Sequence, residues 1–332
     1  MKVATQTTLE THLAAQIQGA SALGSDLAAV LGALALAGEK LSRQIGRAAL
    51  SGEVGLSGEQ NSTGDCQKKL DVLGDEIFLD FLSESGLVAA VAGEELEQAV
   101  WLNRDPAAQL IVCTDPVDGS SNTDINGSLG TIFGIYPRKG LGTDDELEFG
   151  RRGSEQIAAG YIMYSTSTMF VYAAAQGVHG FTFDRDLGEF VLSHPDLQCP
   201  AEGRTYSANL ARYSEWDSSI RKLADRINSS DPGTDRSYSL RYTGALVADF
   251  HRCLLEGGFY FYPADAKHPN GKLRLLYECA PLAYVMEQAG GRATTGTQRV
   301  LDVLATDIHQ QVPLVIGGAD DVSLFDKQAV DG

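Results

Sequence analysis

The sequence predicts a layered α/β or α+β protein. Two observations carry this. Apolar, β-branched runs and helical patterns mix from end to end, with no separation into an all-helical and an all-strand half. The composition, 43% hydrophobic and 21% charged over 332 residues, is that of a globular chain long enough for two domains or one large one. No internal repeat or low-complexity segment breaks it.

Residues 27–50 place Leu27, Val30, Leu31, Leu34, Leu41 and Ile45 at helical spacing, with Ser25 and Asp26 as caps. Residues 51–64 are rich in Gly, Ser, Asn and Thr and read as a loop. Residues 65–81 return to helix, with Leu70, Leu73, Ile77, Phe78 and Phe81 on the buried face. The apolar run 87–92 reads as a buried strand that leads to Glu94 and Glu95. Residues 110–114 form a second such strand, expected to stop at Asp115-Pro116, and 130–136 a third.

Residues 138–154 are charged and Gly-rich, as in a surface loop. Strands are expected at 157–164 and 168–175, and a hairpin at 181–184 and 189–192. Residues 194–203 hold two prolines and offer a boundary, which divides the chain into 1–195 and 196–332. Beyond it, 217–227 and 245–256 are helical, 228–239 is a polar loop, and 258–263 is an aromatic strand. Residues 267–274 are basic. A helix at 281–289 has Pro281 in its first turn and Gly290-Gly291 past its end. Residues 312–316 read as a last buried strand.

The formal net charge of −18 argues against a nucleic-acid partner. It also means that an anionic substrate needs local cations or metals. The five cysteines are scattered and form no C-x-x-C pair, which fits a reducing compartment and implies neither a zinc site nor a disulfide framework. Cys113 and Cys279 lie in apolar runs, as inert core thiols do. The opening residues MKVATQTTLETHLAAQIQ lack the apolar core of a secretory signal, and no apolar stretch is long enough to span a bilayer. A cytoplasmic protein is expected.

The most informative segment is DPVDGSSN, 115–122. It follows a buried strand and brings two carboxylates, Asp115 and Asp118, into a turn of small residues with open backbone N–H groups. Carboxylates hold hard divalent cations, and N–H groups in a tight turn cradle anions. Together they suggest metal-assisted chemistry on a phosphate. The same letters are also ordinary turn chemistry, so the reading needs further acids. Asp65, Asp71, Glu94, Glu95 and Glu278 are candidates, Glu278 because LRLLYECAPLAYVM surrounds it with apolar residues. Lys272 and Arg274 could clamp a phosphate, and Arg241-Tyr242, Tyr260 and Tyr262 could hydrogen-bond a second one. An EF-hand fails because Asn126 stands where its final Glu belongs. A P-loop fails because Thr297 stands where its Lys belongs.

With these motifs in view, the chain resembles class I fructose-1,6-bisphosphatase. The matching segments are STGDCQKKLDVLGDE (62–76), GEE (93–95), DPVDGSSNTDINGSLGTIFGIY (115–136), RYTGALVADFHR (241–252) and FYPADAKHPNGKLRLLYECAPLAYVMEQAGGRATTG (261–296). The resemblance implies an αβαβα sugar-phosphatase fold of two mixed-sheet halves. It also implies a homotetramer that uses Mg²⁺ or Mn²⁺, two or more ions per subunit, to remove the 1-phosphate of fructose 1,6-bisphosphate in gluconeogenesis or the Calvin cycle. By this resemblance Glu94, Glu95, Asp115, Asp118, Glu278 and the Val117 carbonyl bind metal. Asp65, Asp71 and Glu95 surround the attacking water. Gly119, Ser120, Ser121 and Arg274 hold the reacting phosphate. Asn209, Tyr242, Tyr262 and Lys272 bind the sugar and its 6-phosphate, and Arg241 reaches a neighbouring subunit's site.

Some segments depart from the family pattern. NLARY sets Tyr213 one place later than the animal enzymes do. GASALGSDLAA (19–29), Gln109-Leu110 and Pro137 replace the residues that bind inhibitory AMP in animal enzymes, so weak or absent AMP inhibition is expected. Residues 140–154 hold no Cys, so the plant plastid enzyme's redox insertion is missing. A dual fructose-1,6-/sedoheptulose-1,7-bisphosphatase fits the same motifs. A related inositol-phosphate or nucleotide phosphatase fits less well, because the Arg241-Tyr242 and 262–272 segments speak against it. A non-catalytic sugar-phosphate sensor would keep the pocket without the turnover.

Overall fold

The computed structural model describes residues 6–17, 19, 21, 23–52, 55–60, 66–140, 148–228 and 237–330. Two main sheets and three helical layers alternate. The first sheet has eight strands in the order β10-β9-β8-β7-β6-β5-β3-β4. These are β3 (Val88–Gly93), β4 (Val100–Trp101), β5 (Leu110–Asp118), β6 (Leu129–Pro137), β7 (Ala158–Tyr164), β8 (Thr168–Ala174), β9 (Gly177–Asp184) and β10 (Glu189–His194). All neighbours are antiparallel except β3 and β5, which run parallel. The strands expected from the apolar runs are present with shifted ends: β5 and β9 each gain four residues, while β7 and β8 each lose one.

Three helices cover one face of this sheet: α1 (Leu9–Gln16), α2 (Gly24–Ile45) and α3 (Lys69–Ser85). Val30, Leu31, Leu34, Leu41, Leu70, Ile77 and Phe78 are buried there with Leu110, Val112, Phe133 and Phe170. Leu73 and Phe81, expected in that face, pack at its margin. Helix α2 begins at Gly24, so Ser25 and Asp26 lie inside its first turn rather than capping it. Helix α3 begins at Lys69 because the short strand β2 (Cys66–Lys68), paired with β1 (Leu56–Gln60), takes up the residues before it. Residue 65 lies outside the described residues.

The other face of the sheet meets α5 (Leu246–Glu256) and α6 (Ala280–Gln288), which also touch the second sheet. That sheet has the order β12-β11-β13-β17-β15. Its strands are β11 (Thr205–Ser207), β12 (Ser239–Leu240), β13 (Phe259–Tyr262), β15 (Arg292–Thr294) and β17 (Leu314–Gly317). A small ribbon of β14 (Leu273–Arg274) and β16 (Gln311–Val312) lies apart from it. The second sheet's outer face packs on α4 (Ser218–Asn228) and α7 (Ala319–Val330) around Trp216, Leu223, Phe259, Phe261 and Phe325. The layers are therefore α-β-α-β-α, as the resemblance implied.

Three further expectations change. Residues 56–60, expected within a loop at 51–64, form β1 because they pair with β2. Strand β5 does not stop at Asp115-Pro116 but runs to Asp118. Asp115 faces Ile132 and Asp118 faces Gly130, so three steps on β5 meet two on β6, a bulge around Pro116. A bulge accommodates a residue that cannot donate to the ladder, and the Pro116 carbonyl accepts instead from Thr131 Oγ1 at 2.7 Å. The segment 138–154 is not all surface. Arg151 is fully buried, bonded to Glu148 at 3.2 Å and to the Pro137 carbonyl at 2.9 Å, with its guanidinium 4.9 Å from the Tyr136 ring. A buried charge is tolerated because it is paired and hydrogen-bonded. Cys113, Cys199, Cys253 and Cys279 are buried free thiols.

Candidate active site

The bulge fixes the geometry of the acids. Asp115 Oδ1 accepts from the Val117 N–H at 3.0 Å, which closes a tight turn inside the strand. Three residues on, Asp118 meets the start of α5. Its Oδ1 accepts from Leu246 N at 3.0 Å and its Oδ2 from Val247 N at 2.7 Å. The first N–H groups of a helix have no partner within it and carry partial positive charge, so a carboxylate is at home there. Each oxygen still has a lone pair free for a cation.

Gly119 makes the next turn. It sits at φ 77°, and a Cβ there would lie 2.5 Å from Ala245 Cβ, so only glycine lets the loop lie this close to α5. Ser120–Ile125 then winds into a 3-10 turn, placing the N–H groups of Gly119, Ser120 and Ser121 at its open end. Asn122 braces it, donating from Nδ2 to the Ser128 and Thr243 carbonyls at 3.2 Å each.

Glu278 arrives from the other side on a wide helical turn, Leu275–Cys279, that leads into α6. Pro281 has no N–H to give to that turn, and the Ala280 N–H bonds back to the Leu275 carbonyl. Single wide turns of this kind recur at functional sites. Glu278 Oε2 accepts from the Arg274 N–H. Glu94 and Glu95 follow the end of β3, beside β5.

Glu94, Asp115, Asp118 and Glu278 act on one another electrostatically. Burial first, then mutual repulsion, pushes the Glu94 and Asp115 carboxyls well above their ordinary range. Burial raises Asp118 to about 6, against its two N–H donors. Burial also raises Glu278 to about 7, with Arg274 opposing. Oxygen donors in negative excess suit a hard divalent cation. Among the described residues no three such groups are yet drawn into a closed cage. The donor chemistry and the unbalanced charge nevertheless fit metal ions, which would draw the acids together.

Helix α3 supplies a second set. Asp71 caps it, its Oδ2 accepting from the Lys68 N–H at 2.8 Å. Burial, with Glu95 adding to it, raises Asp71 to about 6. Asp75, one turn on, is raised to about 7 by burial, then by Glu95 and Asp71. Sequence reading missed Asp75, although its i+4 spacing from Asp71 puts both on one helix face. Gly74 lies between them. A Cβ there would stand 2.6 Å from Val117 Cγ2 and 3.2 Å from Pro116 Cβ. Its absence lets the helix lie against the bulge.

The sugar-side candidates also gather. Asn209 hydrogen-bonds Tyr242, and Tyr262 lies close enough to add to burial in raising the Tyr242 hydroxyl. Lys272 precedes buried Arg274 and lies near enough to Glu278 to stabilise its charge. Tyr260, weighed as a phosphate contact, is instead buried in the core. Asp249, not singled out from the sequence, accepts from the Thr243 N–H at 3.1 Å and so holds the segment carrying Arg241 and Tyr242. Arg241 is exposed, with Nη1 on the Leu240 carbonyl at 2.8 Å. Asp65 cannot be placed, since it lies outside the described residues.

Comparison with known proteins points the same way. A family model described as fructose-1-6-bisphosphatase, N-terminal domain, matches residues 6–195, and its C-terminal counterpart matches 199–329. The chain is 54% identical over 273 residues to a class 1 fructose-1,6-bisphosphatase of Acaryochloris marina, covering 82% of each. It is 45% identical over 269 residues to the cytosolic fructose-1,6-bisphosphatase of Brassica napus, covering 81% of this chain and 79% of that one. A crystal structure of Leishmania major fructose-1,6-bisphosphatase in holo form superposes with a TM-score of 0.91 at 34% identity, over 98% of this chain and 100% of that one.

Proposed function

The chain belongs to the fructose-1,6-bisphosphatase family, and from that premise we propose that it hydrolyses the 1-phosphate of D-fructose 1,6-bisphosphate to give fructose 6-phosphate and phosphate. One juxtaposition carries the reading: Asp118, seated on a helix N-terminus, adjoins both the buried acids Glu94, Asp115 and Glu278 and the Gly119–Ser121 turn.

Glu94, Glu95, Asp115, Asp118, Glu278 and the Val117 carbonyl would hold Mg²⁺ or Mn²⁺, two or more per subunit. When bound, the metal lowers the pKa of water and offsets charge on the phosphoryl oxygens. The protein's own part is to position and to move a proton. The turn N–H groups and Arg274 orient the reacting phosphate, where developing charge is best met by donors already in place. Asp65, Asp71 and Glu95 surround the attacking water. Asp71, already raised to about 6, is suited to take a proton near neutral pH. Asn209, Tyr242, Tyr262 and Lys272 hold the sugar and its distal phosphate.

Exposed Arg241 would reach the corresponding site of a neighbouring subunit in a homotetramer. The metal-binding half would be 1–195 and the sugar-binding half 196–332. Among the described residues no helix is long and apolar enough to cross a membrane, and a cytoplasmic setting is part of the proposal.

The test is phosphate release from fructose 1,6-bisphosphate and sedoheptulose 1,7-bisphosphate, with Mg²⁺ and with EDTA. Release from the first that needs Mg²⁺ and resists micromolar AMP is expected. Release from both assigns the dual activity. Substrate binding without release would make the protein a sensor and overturn the reading.

A further inference from the structure

The family pattern directs attention to Tyr213, but the fold turns that side chain away. Its hydroxyl donates to Asp225 Oδ1 at 2.8 Å, and its ring packs on Trp216 with centroids 6.0 Å apart. The residue before it faces the opposite way. Arg212 Nη1 reaches Asp265 Oδ2 at 3.0 Å and Glu215 Oε2 at 3.2 Å. Its positive charge acts on the hydroxyls of Tyr262 and Tyr242, and Tyr242 bonds Asn209. Asn209, Arg212, Tyr242 and Tyr262 are thus one cluster.

We propose that Arg212 binds the distal phosphate of the substrate and helps set the protein's preference for bisphosphates. The inference rests on the function proposed above and adds a residue to it. Three features support it. Both carboxylate contacts run to Nη1, and a guanidinium has five N–H donors. Neither carboxylate contact uses Nη2 or Nε, so donors remain on the guanidinium for a ligand. The carboxylates are themselves balanced. Lys267 Nζ lies 2.6 Å from Glu215, and Asp265 Oδ1 accepts the N–H groups of Lys267 and His268 at 2.8 Å each. Arg212 is therefore not the sole counter-charge of these two carboxylates. Finally, Arg212 is 27% exposed in its side chain while its anchor Asp265 is 1% exposed, which is a held but reachable cation. In a chain of net charge −18 a phosphate far from the metal acids needs such a cation. A fixed guanidinium fork is well matched to it.

The experiment measures kcat and KM of the full-length protein, Arg212→Met, Arg212→Lys and Tyr213→Phe with Mg²⁺. The substrates are fructose 1,6-bisphosphate and fructose 1-phosphate, which lacks the distal phosphate. Arg212→Met should raise KM for the bisphosphate roughly 10- to 100-fold with little change in kcat. Its loss on fructose 1-phosphate should be less than about threefold, and Arg212→Lys should recover part of the difference. Fructose 6-phosphate binding, measured by calorimetry, should weaken in parallel, while Tyr213→Phe leaves it unchanged. Equal losses on both substrates, or an unchanged KM, would make Arg212 a structural ion pair and overturn the proposal. If the parent releases no phosphate, the catalytic reading fails, and calorimetry with fructose 6-phosphate still decides the role of Arg212.

Discussion

In the proposed mechanism the chemistry depends most on Glu95, which would serve both as a metal ligand and as a neighbour of the attacking water. It raises the carboxyls of Asp71 and Asp75 from across the site. Glu95→Gln keeps the size and removes the charge. Turnover should fall by roughly 10³-fold or more, with the melting temperature and oligomeric state of the parent retained. Phosphate release together with size-exclusion chromatography checks this, and near-normal turnover would remove Glu95 from the mechanism. The residues that sequence reading found are those with a chemical signature: acids in apolar company, or small residues after a strand. Sequence reading did not single out Arg212, because nothing in NLARY says which of two adjacent side chains joins Tyr242 and Tyr262. That is set by the short 3-10 turn Leu210–Glu215.

At the scale of the elements, the long helices and core strands were legible because their periodicity is strong, whereas their ends were not. Helix α1 was missed because only Leu9, His12 and Leu13 of its eight residues are buried, too few to show a period. The two-residue strands β4, β12, β14 and β16 exist through their pairing partners rather than their own residues. The continuation of β5 through Pro116 runs against local turn chemistry, and tertiary pairing with β6 prevails. Helix α3 shows how an element is fitted to the site. Glycine inside a helix costs about 1 kcal/mol relative to alanine, yet Gly74 leaves room for Val117 and Pro116. Gly74→Ala should therefore destabilise by about 1–3 kcal/mol through overpacking and lower activity by shifting Asp71. Gly32, in α2, has nothing within 4 Å of a built Cβ. Gly32→Ala should instead stabilise by about 0.5–1 kcal/mol. Urea unfolding of both variants checks the opposite signs.

For the whole molecule, the buried acids make stability depend on pH and on metal. Asp71 and Asp118 are raised to about 6, and Asp75 and Glu278 to about 7, from ordinary values of 3.8 for Asp and 4.5 for Glu. The folded state thus holds protons that the unfolded chain releases between about pH 4 and pH 7. Stability of the metal-free protein therefore rises as pH falls through this window. Asp217 and Asp265, held low by backbone N–H donors, oppose the trend only near and below the ordinary Asp value of 3.8. In EDTA the melting temperature at pH 5.5 should exceed that at pH 8 by roughly 5 °C. Saturating Mg²⁺ should raise the pH 8 value most, because it binds the ionised acids. Calorimetric scans at both pH values check the sign. The short edge strand β12, Ser239–Leu240, has a longer-term consequence. Of the proposed metal ligands, Asp115 and Asp118 lie on β5 and Glu94 and Glu95 follow β3, two interior strands of the eight-stranded sheet, where a substitution disturbs many neighbours at once. Arg241 and Tyr242 follow a two-residue exposed strand at the margin of the other sheet. Inheritance can therefore act on the two halves of the pocket separately. On the proposed assignment, mutational drift along this margin would alter which sugar is accepted while leaving the hydrolytic apparatus intact.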